Sequence, residues 1–152
     1  GRMKLIVDTN IVFSSILNTD SKIGDLLLNS DDQFEFYSVS YLKEELENHK
    51  TKLSQISNLS LEEIDQIKAQ IFTKIQFISE DLIPFEFWRK AVDFVRGIDM
   101  DDIAFVALSL YMDKTKIWTG DIKLQKGITN KGFKGIIGTK EVLKLREELE
   151  RK

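Results

Sequence analysis

Asp8, Glu45, Asp102 and Asp121 each sit against an apolar segment of this chain, at its head, its end or on its buried stripe. A carboxylate is easily held in water and costly to bury, so acids placed beside core elements need a compensating cation. Hard divalent ions such as Mg²⁺ and Mn²⁺ take oxygen ligands and supply that charge. The chemistry open to such a set is metal-assisted displacement at a phosphodiester.

Each acid also has an ordinary structural use. Asp8 can cap a following helix, although Thr9 is a competent cap that would leave Asp8 free, and Asn10 adds an amide oxygen nearby. At roughly 100° per residue, Tyr41, Leu42 and Leu46 define an inward helix face that includes Glu45, whereas Glu44 and Glu47 point to water. A buried salt bridge is the alternative for Glu45, and His49, the single histidine, lies one turn along. Asp99 and Asp101 compete with Asp102 to cap the helix that follows. Asp102 is the expected ligand, Asp99 the cap or a supporting acid, and Asp101 the one left to solvent. Asp121 follows Trp118-Thr119-Gly120 and could be a plain turn aspartate, with the Thr119 hydroxyl placed to orient it. Trp118 itself reads as core.

The elements that must position these acids are legible. Met3 to Asp8 reads as a short strand ending at an acid, followed by a helix from Thr9 to Leu17. Ser21 caps a second helix, and Phe34 to Tyr37 is strand-like. Ser40 is expected to cap a helix to about Leu53. Ser60-Leu61-Glu62-Glu63 is a capping box for another, with Ile64, Ile67, Ile71 and Ile75 as its apolar stripe. Phe77-Ile78 reads as a strand. Pro84 suits the first turn of a helix through Val95, with Gly97 as its stop. Asp101 to Met112 is apolar on nearly every side and must be buried, apart from a thin polar strip at Ser109 and Asp113. Lys116 to Thr119 and Gly135 to Ile137 are strands, and Thr139 caps a final helix. Strands alternating with helices predict an α/β fold, a three-layer α/β/α sandwich on a central, mainly parallel sheet. Ligands gather beyond the carboxyl ends of such strands, where Asp8 and Asp121 fall.

Composition sets the bounds. The chain has 152 residues, 42% apolar and 31% charged, the balance of a folded protein with a proper core. Gly1 and Arg2 ahead of Met3 read as a cloning remnant, so residues 3–152 are expected to form one domain. There is no cysteine, which excludes disulfides and zinc–thiolate sites and fits a reducing, cytoplasmic compartment. No apolar run approaches the roughly 20 residues of a membrane span, and no signal peptide opens the chain. The net charge of −3 hides a gradient: seven lysines and a single acid, Asp121, lie between Lys114 and Lys140. Lysines would attract phosphodiester while the acid helps bind metal. The structural reading of the same stretch is a solvated lysine-rich surface.

Val7-Asp8-Thr9-Asn10, Glu45-Leu46, Asp102-Ile103-Ala104-Phe105-Val106-Ala107-Leu108 and Thr119-Gly120-Asp121 follow one another in order. Together they resemble the PIN-domain family, which includes the VapC-type toxins, over about residues 3 to 142. The resemblance implies Mg²⁺- or Mn²⁺-dependent cleavage of RNA at Asp8, Glu45, Asp102 and Asp121. Of these, Asp8, Asp102 and Asp121 are the expected metal ligands. Asn10, Asp99 and Thr119 are expected to support them, and Lys123, Lys126, Lys131 and Lys134 to steer RNA. An antitoxin protein and a second copy of the chain are the partners that family habit suggests. Lys123 stands where many relatives carry another acid, which keeps open a non-catalytic RNA- or protein-binding module. An aspartate-nucleophile phosphatase would need an acid where this chain has Asn10.

Overall fold

The structure is a computed structural model and describes residues 1–152. Its sheet has five strands in the order β3-β2-β1-β4-β5: β1 (Met3–Val7), β2 (Phe34–Val39), β3 (Ile75–Ile78), β4 (Ile117–Trp118) and β5 (Ile136–Ile137). Every pairing is parallel, with Met3 opposite Phe34 and Val7 opposite Trp118. Leu5, Ile6 and Val7 are wholly buried in succession, as a central strand covered on both faces requires.

Nine α-helices cover the sheet: α1 (Thr9–Leu17), α2 (Lys22–Leu28), α3 (Tyr41–Asn48), α4 (Lys50–Ser57), α5 (Leu61–Phe72), α6 (Phe85–Val95), α7 (Ile103–Tyr111), α8 (Ile122–Asn130) and α9 (Thr139–Glu150). The chain steps outward from β1 to β2 and β3, then returns to the other side of β1 for β4 and β5. Because parallel crossovers are right-handed, that reversal puts α6, α7 and α8 on the opposite face, while α9, which follows the last strand and is no crossover, returns to the first. Accordingly α1 packs with α2, α4 and α5, and α9 with α2, while α7 lies on β2 and β4 beneath α6. Ala104 to Ser109 are all buried, which explains why α7 has almost no polar side. The reversal leaves a crevice between the carboxyl ends of β1 and β4, the position where open α/β sheets bind ligands.

Several boundaries differ from the sequence expectation. Asp8, not Thr9, caps α1, its Oδ1 accepting the Ile11 N–H at 3.1 Å. Ser40 makes no cap bond; the Glu80 carboxylate accepts the Tyr41 N–H at 3.0 Å from a distant turn instead. Tyr41, expected inside with Leu42 and Leu46, is exposed there. The helix expected to run to Leu53 breaks at His49, so that α4 turns to pack against both α1 and α5. Ile75 leaves its helix for β3, because a fourth strand residue pairs with Phe36. Gly138 caps α9, and the Thr139 hydroxyl accepts the Trp118 indole N–H at 3.1 Å. That bond satisfies the one polar atom of a fully buried Trp118, which is core as expected. The capping box at Ser60 and Glu63 forms, and Gly97 sits within the turn after α6 at φ 83°.

Candidate active site

The crevice holds a cleft of about 130 Å³ lined by Asp8, Thr9, Asn10, Phe13, Glu45, Asp99, Asp101, Asp102, Phe105 and Asp121. Four separate segments deliver its acids. Asp8 ends β1 and Asp121 follows β4, and their strands are tied where the Asp8 N–H meets the Trp118 carbonyl at 3.4 Å. Each of these two aspartates spends one oxygen on a helix: Asp8 caps α1, and Asp121 Oδ1 accepts the Leu124 N–H at 3.0 Å to cap α8. Capping and cleft-lining are therefore not alternatives, because a carboxylate has two oxygens. Asp102 closes a 3₁₀ turn, Met100–Asp102, that Asp99 caps by accepting the Asp101 N–H at 2.9 Å. Glu45 reaches in from α3, where the Thr9 hydroxyl donates to its Oε1 at 2.7 Å.

All four expected acids thus meet in one place. Asn10 and Asp99 stand on the rim, and Thr119 lies buried behind, its hydroxyl accepting the Asp121 N–H at 3.0 Å. Asp101 is exposed, as expected, and still joins the cleft wall. His49 packs edge-on against Phe13 at 5.8 Å between ring centroids and forms no salt bridge with Glu45. Two residues that sequence reasoning did not place here are Thr9, as the anchor of Glu45, and Phe13. Their signal was present in the helical spacing: Thr9 and Phe13 are four apart on α1, immediately after Asp8.

The electrostatics follow from crowding. Six carboxylates line the cleft with no lysine, arginine or histidine among them. Burial pushes Asp8 up to about 6, against the Thr119 hydroxyl and the Ile11 N–H that favour its charged form. Burial also raises Asp102 to about 7, with the charges of Asp99, Asp8, Asp121 and Glu45 adding to the shift. Burial raises Glu45 as well, and the Thr9 hydroxyl holds it partly back. Such groups favour a proton or a cation over an uncompensated charge. As oriented, no three of these side chains are drawn together closely enough to grip one ion. The donor set nonetheless suits a hard divalent ion, being all oxygen and short of positive charge.

A family model described as PIN domain matches residues 6–147, from the first strand into the last helix. The chain belongs to the PIN-domain family. Members of this family are generally nucleases. Its fold is similar to that of PAE2754 from Pyrobaculum aerophilum, known from a crystal structure. The two share a TM-score of 0.66 and 13% sequence identity, over 95% of this chain and 90% of that one. No curated protein matches this PIN domain in sequence.

The expected lysines divide by position. Lys123 lies two residues past Asp121 and Lys126 one turn further, both exposed. Helix α8 then carries the chain away from the cleft, so Lys131 is displaced by about 15 Å along its axis. The Lys131 ammonium donates to the Arg96 carbonyl, and Lys134 lines a separate hollow with Phe94, Lys114 and Phe133. None of the four lines the acid cleft. No helix is long and apolar enough to cross a membrane.

Proposed function

We propose that this PIN domain is a metal-dependent endoribonuclease. The observation that supports it best is the cleft itself, where acids from four segments converge without a positive side chain. Asp8, Asp102 and Asp121 would hold a Mg²⁺ or Mn²⁺ ion. When bound, such an ion lowers the pKa of a water and offsets charge that develops on phosphoryl oxygens. Glu45, anchored by Thr9 and made more basic by burial, would in its ionised form accept a proton from the attacking water. Asp99 and Asp101 add negative charge at the rim and so favour a cation between protein and phosphodiester. Thr119 fixes the turn that presents Asp121, and Lys123 and Lys126 draw the strand towards that end by charge.

The biological setting we attach to this chemistry, on family grounds, is the toxin of a toxin–antitoxin pair acting in the cytoplasm, with a protein antitoxin and a second copy as partners. Growth arrest on expressing the parent, and none with Asp102→Asn, would support that setting. The chemistry is tested directly by incubating mixed RNA with the protein in Mn²⁺ or EDTA, beside Asp8→Asn. Cleavage in Mn²⁺ alone, lost in the variant, is expected; cleavage that survives EDTA or the substitution rejects the assignment. A second reading, an RNA-binding scaffold without cleavage, draws on the exposed Lys123 after Asp121. It predicts RNA affinity that is the same with and without divalent metal.

A further inference from the structure

The acid cleft has an apolar neighbour. Phe13, Leu17, His49, Lys52, Leu53 and Ile56 enclose a half-open hollow of about 250 Å³ where α1 packs on α4. Phe13 belongs to both, lining the hollow and the acid cleft. Ile56 is 58% exposed and Leu17 41%, so the hollow leaves substantial apolar surface in water.

Size, place and charge together narrow the occupant. The volume falls below the roughly 300–1,000 Å³ of pockets that enclose whole small ligands, which suits one planar fragment of something longer. His49 follows Glu45 by one helical turn, about 6 Å of rise, comparable to one nucleotide step of an extended strand. Lys52 enters none of the chain's ion pairs, whereas its neighbour Lys50 is held by Asp65 at 2.7 Å. A ligand that fills this region must offer an apolar plane to the hollow and an anion to Lys52, and, once the acids hold a cation, a second anion towards the cleft. A nucleotide within a single strand offers all three, and an apolar protein segment offers only the first.

We propose that this hollow seats the nucleobase next to the scissile phosphate, held between Phe13 and His49, which meet edge-on and so offer it one ring face and one ring edge, with Lys52 meeting the adjoining phosphate. The proposal rests on the ribonuclease reading of the acid cleft. Stacking is tolerant of base identity, and the larger purine rings gain most from it.

The test uses mixed-sequence RNA oligomers, each with one abasic position, cleaved in Mn²⁺ by the parent and by Ile56→Glu. In the parent, an abasic position at one fixed offset from the cut is expected to raise KM about tenfold with little change in kcat. Ile56→Glu is expected to raise KM on intact RNA and to abolish the dependence on offset. His49→Ala should flatten it likewise, and thermal melting verifies that both variants fold. A parent that cleaves with no offset dependence overturns the base subsite and leaves the ribonuclease reading standing. A parent that cleaves in neither Mg²⁺ nor Mn²⁺ overturns that reading. In that event, fluorescence of a 2-aminopurine oligomer decides the subsite alone. Quenching by the parent and not by Ile56→Glu supports it, and an equal response from both overturns it.

Discussion

Two acidic regions of this PIN domain use the same side chains to opposite effect. On the outer surface of α3 to α5, Lys68 bridges Glu47 at 3.0 Å and Asp65 at 3.6 Å, and Lys50 holds Asp65 at 2.7 Å. These lysines lower the pKa of Glu47 and Asp65. At the carboxyl edge of the sheet, Asp8 and Asp102 have no such partner, and their pKa values rise. The surface acids are already satisfied by the chain, so they contribute modestly to stability and have no charge to offer a ligand. The cleft acids are held in an unfavourable arrangement by the core around them. What relieves them must come from outside, as protons or a cation.

The largest expected effect falls on the cleft. Asp102→Asn should slow RNA cleavage by at least about 10²-fold, the order seen when a group that meets transition-state charge is removed. A fluorescent-substrate time course in Mn²⁺ reads it, and a rate within a few-fold of the parent would remove Asp102 from the chemistry. Thr9→Val should cost roughly 10- to 100-fold, because it frees a carboxylate whose orientation matters while leaving the carboxylate in place. Loss of the Thr9 hydroxyl, which lowers the Glu45 pKa, should also move the acidic limb of the pH–rate profile upward. An unmoved limb would separate Glu45 from proton transfer.

The cleft should also weaken the metal-free fold as pH rises. Unfolded, Asp8 and Asp102 titrate near 3.8; folded, near 6 and 7. Between these limits the native state holds the extra protons, so stability falls from about pH 4 to about pH 7 and stays low above. The acids are coupled and titrate as a set. Asp102→Asn should therefore raise the metal-free Tm at neutral pH. Roughly 1 kcal/mol remains after screening by solvent, or about 2–4 °C. The gain should fade towards pH 4. Differential scanning fluorimetry across pH in EDTA measures it, and a Tm gain independent of pH would contradict the cause given. Smallest of all is Asp65→Asn on the outer surface. It should shift Tm by about a degree or less, and less again in high salt. A larger loss would mean that the two acidic regions differ less than their pKa values imply.

Much of this was legible in the residues. The capping box at Ser60, the buried run from Ala104 to Leu108 and the strand from Met3 depend on local pattern, and they form as expected. Ser109, expected on a polar strip, is instead buried with its hydroxyl donating to the Thr115 carbonyl. The four acids were also legible, because each falls against an apolar segment where a carboxylate needs a reason. Caps supplied from a distance were not. Glu80 serves Tyr41 across 39 residues, and no local pattern announces it. The break at His49 was equally hidden, since the chain turns there to satisfy packing on α1 and α5 rather than any propensity of its own.

The sequence by itself determined which residues bury, hence the strand-and-helix alternation and the places where acids end apolar runs. Only the tertiary structure decided that β4 lies beside β1, and that is what brings Asp8 and Asp121 together. It also decided that Thr9 holds Glu45 rather than capping its own helix, and that Phe13 stands between the acids and an open hollow. The reason is physical. Burial is written residue by residue in hydrophobicity, whereas proximity between distant segments follows from the handedness and packing of the whole sheet.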